Sequence, residues 1–131
     1  MISSLELDIL PEAFAICRLP AESPVPEWAR GLIVSITRSS EELSIVCEEK
    51  NVPREVRAER GRRGLRVKGT IPLAQTGVLA SLAAPLAKAE ISIFAVSTYD
   101  TDYLFVAAED LPDAAGVLEA AGHIIRGSAK R

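Results

Sequence analysis

The chain has 131 residues, of which 48% are hydrophobic and 25% are charged, and its formal net charge is −3. This length fits one domain or two small modules, and the composition is that of a folded globular protein. A net negative charge argues against general nucleic-acid binding, which depends on a basic excess. Glu6 and Asp8 interrupt the first apolar residues, which does not fit the basic and then apolar pattern of a signal peptide. Later apolar stretches are too short to cross a membrane. A cytoplasmic protein without a membrane partner is therefore expected.

Residues that could carry chemistry are few and scattered. Cys17 and Cys47 are the only cysteines, and their spacing fits no metal or redox motif, so both are expected to be reduced, buried side chains. His123 is the only histidine, and it is interpreted as a helix cap or a surface residue rather than a catalyst. Because no nucleophile, base and metal set converges, the sequence predicts neither an enzyme nor a cofactor.

The first half of the chain shows short strand patterns separated by turns. Alternating and strand-forming residues predict strands at residues 13–19, 32–37, 43–48 and 65–70. A single helical turn is expected at 26–30, after a proline-rich segment. Residues 53–60 have helical spacing. The arginines and lysine between residues 54 and 68 are interpreted as a solvated charged face, with nucleic-acid binding as the weaker alternative because aromatic residues are not interleaved.

The second half has clearer periodicity. Val78, Leu79, Leu82 and Leu86 recur at helical intervals and predict a helix over residues 75–89, bent at Pro85. Strands are predicted at 91–97 and 103–108, a second helix starts near residue 110 and stops at 122, and a last strand covers 123–126. Together with the strand at 65–70, this order is β-α-β-β-α-β.

Residues 33–49 align without a gap on residues 93–109, so that Ile33 corresponds to Ile93 and Ile45 to Phe105. Two amphipathic hairpins can match by chance, but the flanking patterns also repeat, which favours a duplication. The predicted fold is α+β, with two ferredoxin-like β-α-β-β-α-β modules packed together. Residues 1–61 form a degenerate N-terminal module with a shortened first helix, and residues 62–131 form the C-terminal module.

The segment Gln75-Thr-Gly-Val-Leu, followed by a helix and then by Ile91-Ser-Ile, resembles the ACT domain, an amino-acid-sensing module. The segment from Ser97 to Tyr103 resembles more specifically the bacterial relatives of the CASTOR arginine sensors, which carry tandem ACT modules. The resemblance is strong over residues 65–123 and weak over the first 60. Two positions depart from the family pattern. The usual Asp-x-Pro-Gly before the first helix is replaced by residues 74–77, and the usual glycine before the second strand is Glu90. The first departure leaves the identity of the ligand open.

The candidate ligand-binding residues lie in two segments: Thr76, Gly77, Val78, Ser97, Thr98, Asp100 and Asp102. Glycine lets a backbone approach a ligand closely, and the free N–H groups of a first helical turn, here at residues 76–78, favour a carboxylate. The two aspartates could face an amine or a guanidinium. Simpler interpretations stay open, namely a helix cap in the first segment and ordinary turn chemistry in the second. A metal site there lacks further ligands.

The strand predicted at 91–97 has apolar residues on both faces. Helices cover one face in this topology, so the other face must be buried by the sister module or by a second chain, which predicts a homodimer. The sequence therefore predicts a non-catalytic regulatory or sensor protein that binds a small molecule, an amino acid in the first instance, and acts on a regulated protein that the sequence does not identify. The alternative is a structural or protein–protein interaction module that has lost ligand binding.

Overall fold

The computed structural model describes residues 4–129. In that part of the chain it has seven strands and two α-helices, so the predicted mixed class of helices and strands is confirmed. The strands are β1 (Glu6–Leu19), β2 (Ser35–Arg38), β3 (Leu43–Glu48), β4 (Ala58–Val67), β5 (Phe94–Ser97), β6 (Asp102–Ala107) and β7 (Ile124–Arg126). The α-helices are α1 (Val78–Lys88) and α2 (Leu111–Ala120), and short 3-10 helices cover Glu49–Asn51 and Ala108–Asp110.

The chain divides into two compact units. Unit 1 comprises the residues up to Pro11 together with those from Arg63 onward, and unit 2 is Glu12–Arg62. The predicted boundary between residues 61 and 62 lies one residue from the division at 62–63. The residues up to Pro11 were assigned to the N-terminal module, whereas the structure groups them with the C-terminal unit. β1 and β4 each contribute residues to both units.

Unit 1 contains the predicted β-α-β-β-α-β order, from β4 to β7. β6 lies between β4 and β5. The first part of β1 lies between β4 and β7, and it pairs with β7 in parallel from Glu6–Ile124 to Asp8–Arg126. A strand from early in the chain is therefore inserted into the sheet of this unit. The sequence pattern did not predict it, because the strand was expected to start only at residue 13.

The core of unit 1 lies between its sheet and the apolar faces of the two helices. Val78, Leu82 and Leu86 are the buried residues of α1. Leu82 and Leu86 belong to one core cluster with Leu111, Ala114 and Leu118 of α2 and with Leu7, Ile9, Leu65, Val67, Ile91, Leu104 and Val106. Burial of each large aliphatic side chain stabilises the fold by about 1.5–3 kcal/mol. This packing fixes the first turn of α1 against the sheet.

Unit 2 has strands but no α-helix in its described residues. Where one helical turn is predicted at 26–30, the chain makes a turn closed by the N–H of Ala29 and the carbonyl of Pro26 at 3.1 Å. Residues 53–60 do not form a helix despite their helical spacing, since they make a turn and β4 already begins at Ala58. The guanidinium of Arg60 donates to the carbonyls of Pro53 at 2.9 Å and Val56 at 3.1 Å. The N–H of Arg18 donates to the carbonyl of Arg57 at 3.0 Å. Strand pairing and carbonyl capping therefore override the local helical spacing.

The two hairpins follow the same plan, and each is followed by a 3-10 helix. In the first turn the N–H of Ser39 donates to the carbonyl of Glu42 at 2.9 Å, and in the second that of Thr98 donates to Thr101 at 2.8 Å. Ser39 therefore corresponds to Thr98, a separation of 59 residues. The gapless alignment predicted above uses a separation of 60 and is wrong by one residue. Such a shift would exchange the two faces of every strand.

Candidate ligand-binding site

A cavity of about 290 Å3 lies in unit 1, between the segment before α1, the first turn of α1 and the turn that joins β5 to β6. Five of the seven predicted ligand-binding residues line it, namely Gly77, Val78, Ser97, Thr98 and Asp102. Thr76 and Asp100 are exposed and are not part of the lining. The two chain segments chosen from the sequence therefore meet at one cavity.

Gly77 shapes the helix side of the cavity. It is the N-cap of α1 and has a φ of 83°, in the left-handed region that favours glycine. A Cβ at this position would meet nothing within 4 Å, so the backbone conformation, and not space, requires glycine. The first intrahelical bond runs from the N–H of Ser81 to the carbonyl of Gly77 at 2.9 Å.

The N–H groups of the first helical turn have no acceptor within α1. They belong to Val78, Leu79 and Ala80, which all line the cavity. The sequence placed these donors two residues earlier, at 76–78, because it put the start of the helix too early. The partial positive charge of a helix N-terminus therefore faces the cavity. A carboxylate has the sign that such a position favours.

The hairpin side of the cavity is held by threonine hydroxyl groups. The hydroxyl of Thr98 accepts a hydrogen bond from the N–H of Thr101 at 3.2 Å. The hydroxyl of Thr101, which is 4% exposed, donates to the carbonyl of Val67 at 2.7 Å. These bonds tie the turn to the end of β4. Asp102, the first residue of β6, pairs in register with Ser97 and is the one carboxylate among the lining residues.

The segment that precedes α1 closes the cavity from a third side. The N–H of Ile71 donates to the carbonyl of Asp100 at 2.7 Å, so Asp100 holds this segment through its backbone. Lining residues that the sequence prediction missed are Ile71, Pro72, Leu73, Gln75, Leu79, Ala80, Tyr99 and Thr101. Tyr99 and Leu73 are 80% and 70% exposed and form the rim. The bond between Ile71 and Asp100 joins segments far apart in sequence, so local patterns could not reveal it.

The remaining chemical side chains lie outside this cavity. Cys17 and Cys47 are free and buried, as predicted. The hydrogen bond between the two thiols lowers the pKa of Cys17 and, together with burial, raises that of Cys47. His123 is 6% exposed, so the prediction of a surface position is wrong, although its backbone N–H does cap α2 by donating to the carbonyl of Leu118 at 3.0 Å.

Within residues 4–129 the structure has no group of three or more His, Cys, Asp or Glu side chains placed to hold a metal ion. None of the helices described there combines the length and the hydropathy needed to cross a membrane.

Comparison with known proteins gives two matching family models. The model described as the ACT domain matches residues 57–120, and a model of an N-terminal domain matches residues 12–55. The crystal structure of protein Atu0741 from Agrobacterium tumefaciens is similar along almost the whole chain. It is 39% identical with a TM-score of 0.90, and the match covers 95% of this chain and 94% of that one.

More distant similarity extends to a regulatory protein and to a human relative. The regulatory subunit of aspartate kinase from Thermus flavus is 10% identical with a TM-score of 0.60, over 88% of this chain and 95% of that one, which shows a shared fold. The human protein CASTOR3P is 46% identical over 41 residues, which are 31% of this chain and 25% of that protein. This chain thus matches about a quarter of the length of the human relative. Residues 57–120 match the ACT-domain model, so this part of the chain is an ACT domain, as its sequence predicted.

Proposed function

We propose that this protein is a regulatory module without catalytic activity, which binds an amino acid in the cavity of unit 1. The ACT-domain match over residues 57–120 supports a ligand-binding regulatory role. The observation that carries the proposal is the meeting of the N-terminal turn of α1 and the carboxylate of Asp102 at one cavity. These two groups have opposite electrostatic character, which suits a small zwitterion.

The binding mode follows from that polarity. The carboxylate of the amino acid accepts hydrogen bonds from the N–H groups of Val78, Leu79 and Ala80, and its ammonium group lies toward Asp102. Each charge-assisted hydrogen bond contributes about 1.5–3 kcal/mol. Two or three such bonds approach the roughly 8 kcal/mol of a micromolar complex when apolar surface is also buried. Ile71 and Leu79, which line the cavity, supply that apolar surface.

Regulation follows from the three chain segments that form the cavity. An amino acid that contacts all of them favours the arrangement in which they are close together, and so shifts the population between two packings. We propose that the regulatory signal leaves unit 1 through β5, one of the edge strands of this unit, where Phe94 is 36% exposed. This strand forms a homodimer interface or contacts the regulated protein. The regulatory subunit of aspartate kinase, which shares the fold, is a precedent for such a role.

A thermal-shift panel of the twenty L-amino acids tests the proposal. An amino acid at 100 times its dissociation constant should stabilise the protein by about 2.7 kcal/mol. Asp102→Asn should reduce the shift from that amino acid, since the anionic partner of the ammonium group is lost. Glu119→Gln is the matched control, because it removes the same charge from an exposed position of α2 outside the cavity lining. A panel without any shift, or equal losses in both variants, contradicts the proposal and favours a protein–protein interaction module.

A further inference from the structure

His123 makes two hydrogen bonds with its buried side chain. Its Nδ1 lies 3.1 Å from the backbone N of Leu5, and its Nε2 lies 3.1 Å from the carbonyl oxygen of Ser81 in α1. A backbone N–H can only donate and a carbonyl can only accept. Nδ1 is therefore the acceptor, Nε2 carries the proton, and the ring is neutral when both bonds are made.

Pro85 explains why the carbonyl of Ser81 needs a donor from outside the helix. In an α-helix the carbonyl of residue i accepts the N–H of residue i+4, and proline has no N–H. Pro85 lies inside α1, four residues after Ser81. The carbonyl of Ser81 therefore lacks the usual i+4 donor within the helix, and His123 supplies a donor from outside it. A buried carbonyl without a partner would cost free energy.

Ser81 also connects this bond to the cavity. Its hydroxyl donates to the carbonyl of Val78 at 2.7 Å, and its N–H donates to the carbonyl of Gly77 at 2.9 Å. Gly77 and Val78 both line the cavity. Hydrogen bonds thus run without a break from Leu5 through His123 and Ser81 to the cavity end of α1.

We propose that His123 is a positioning residue for this cavity: the neutral ring holds the first turns of α1 in place through Ser81, and a second proton on the ring weakens ligand binding. The protonated ring donates from both nitrogens, so Nδ1–H would point at the N–H of Leu5 and that bond would be lost. The two facing donors would push the ring away from Leu5 and so displace the Nε2 donor from the carbonyl of Ser81. The part of this inference that concerns binding rests on the proposed function.

The charges around His123 are compatible with this role. The charged side chains on the surrounding elements of unit 1 are Glu6 and Asp8 on β1, Lys88 on α1, Asp113 and Glu119 on α2, and Arg126 on β7. Glu6, which follows Leu5 in sequence, forms ion pairs with Arg126 at 2.7 Å and with Lys68 at 3.8 Å. Its charge is therefore already compensated by two cations.

Nuclear magnetic resonance of the ligand-free, 15N-labelled chain tests the positioning role directly. His123 is the only histidine, so its ring signals are unambiguous. At pH 8 the ring should show the neutral tautomer with the proton on Nε2. As the pH falls, the amide signals of Val78, Leu79 and Ser81 should shift together with the ring. In His123→Gln, which keeps a donor for the carbonyl of Ser81, these amides should stay in place. The inference would be overturned if the amide signals of wild type did not change when the ring is protonated. It would also be overturned if the ring stayed neutral until the protein unfolded.

Binding provides the second measurement. The probe is the L-amino acid with the largest thermal shift in the panel, and its dissociation constant is measured by calorimetry at pH 8 and pH 5.5. Wild type should lose at least about fivefold in affinity at the lower pH. His123→Gln should show no such loss. His123→Asn, whose shorter side chain can reach the N–H of Leu5 but not the carbonyl of Ser81, should bind more weakly than His123→Gln at pH 8. An equal loss in wild type and His123→Gln overturns the inference.

These experiments distinguish a failure of the proposed function from a failure of the positioning role. If no amino acid binds but the α1 amides follow the ring, the proposed function fails and the positioning role stands. If an amino acid binds while those amides stay in place, the positioning role fails and the proposed function stands.

Discussion

Gly64 lies against the aromatic ring of Phe105, so closely that a Cβ on Gly64 would be 3.0 Å from Cε1 of that ring. The same Cβ would lie 2.9 Å from Cδ1 of Leu10. Phe105 is 1% exposed and cannot move away without disturbing its neighbours. Glycine at position 64 of β4 is therefore required by space.

This contact gives a stability prediction. Gly64→Val should lower the free energy of unfolding by about 1–3 kcal/mol, the usual cost of overpacking a core. Gly116→Ala is the matched control, since a Cβ on that helical glycine would meet nothing within 4 Å. It should raise the stability by about 0.4–1 kcal/mol. Urea denaturation of both variants checks the pair, and a neutral Gly64→Val would contradict the packing argument.

Substitutions of Gly77 test whether backbone conformation, and not space, requires glycine at this position. Because its φ is 83°, Gly77→Ala should destabilise the protein by about 1–2 kcal/mol, although a Cβ there has room. Gly77→Asn should cost less, since asparagine tolerates the left-handed region. Thermal melts without added amino acid measure both. Equal costs for alanine and asparagine would show that the conformation is not the cause.

The lowered pKa of Glu6 leads to a prediction of how the stability of the protein depends on pH. The hydrogen bond and charge of Arg126, and the charge of Lys68, hold the pKa of Glu6 below its ordinary value of 4.5. A carboxylate whose pKa is lowered by folding stabilises the folded state above its unfolded pKa, and this contribution is lost as the pH falls through the folded pKa. Glu6→Gln should therefore destabilise the protein at pH 7 and have a smaller effect at pH 3, as measured by urea denaturation. The exposed Glu22→Gln serves as the control, and an effect of Glu6→Gln that is the same at both pH values would contradict the prediction.

Phe94 tests the proposed interface at β5. Phe94→Lys should shift the protein toward a monomer in light scattering, because a charge in an apolar contact is costly to bury. Leu32→Lys is the matched control, since Leu32 is 89% exposed in a loop of unit 2. A wild-type protein that is monomeric at every concentration would contradict the dimer, and equal shifts in both variants would place the interface elsewhere.

The sequence predicted unit 1 better than unit 2, for physical reasons. α1 and α2 each carry a clear apolar stripe, so their helical period and the strands between them can be read locally. The first part of β1 could not be predicted from the local sequence, because acidic residues and Pro11 interrupt its apolar pattern. Its strand conformation depends on pairing with β4 and β7. The same limit applies to residues 53–60, where pairing overrides helical spacing.

The candidate site divides in a similar way. Gly77 before a helix and a polar turn at 97–102 are local signals, and both lie at the cavity. The contribution of Ile71 depends on a backbone bond to Asp100, and the proposed role of His123 depends on a carbonyl that lacks its i+4 donor because of Pro85. Neither contact has a signature within a short stretch of sequence. A proline inside a predicted helix does, however, indicate that the carbonyl four residues before it lacks its usual donor and needs one from elsewhere.

The position of the first part of β1 between β7 and β4 also governs how the protein can be assembled and divided. The ribosome makes Glu6–Asp8 early, yet their partner residues Ile124–Arg126 come more than a hundred residues later. All of unit 2 is synthesised before the last strand of unit 1, so unit 2 should fold before unit 1 during synthesis. A fragment that starts at residue 62 would contain the whole β-α-β-β-α-β order and still lack an interior strand, leaving β4 and β7 with open edges that invite aggregation.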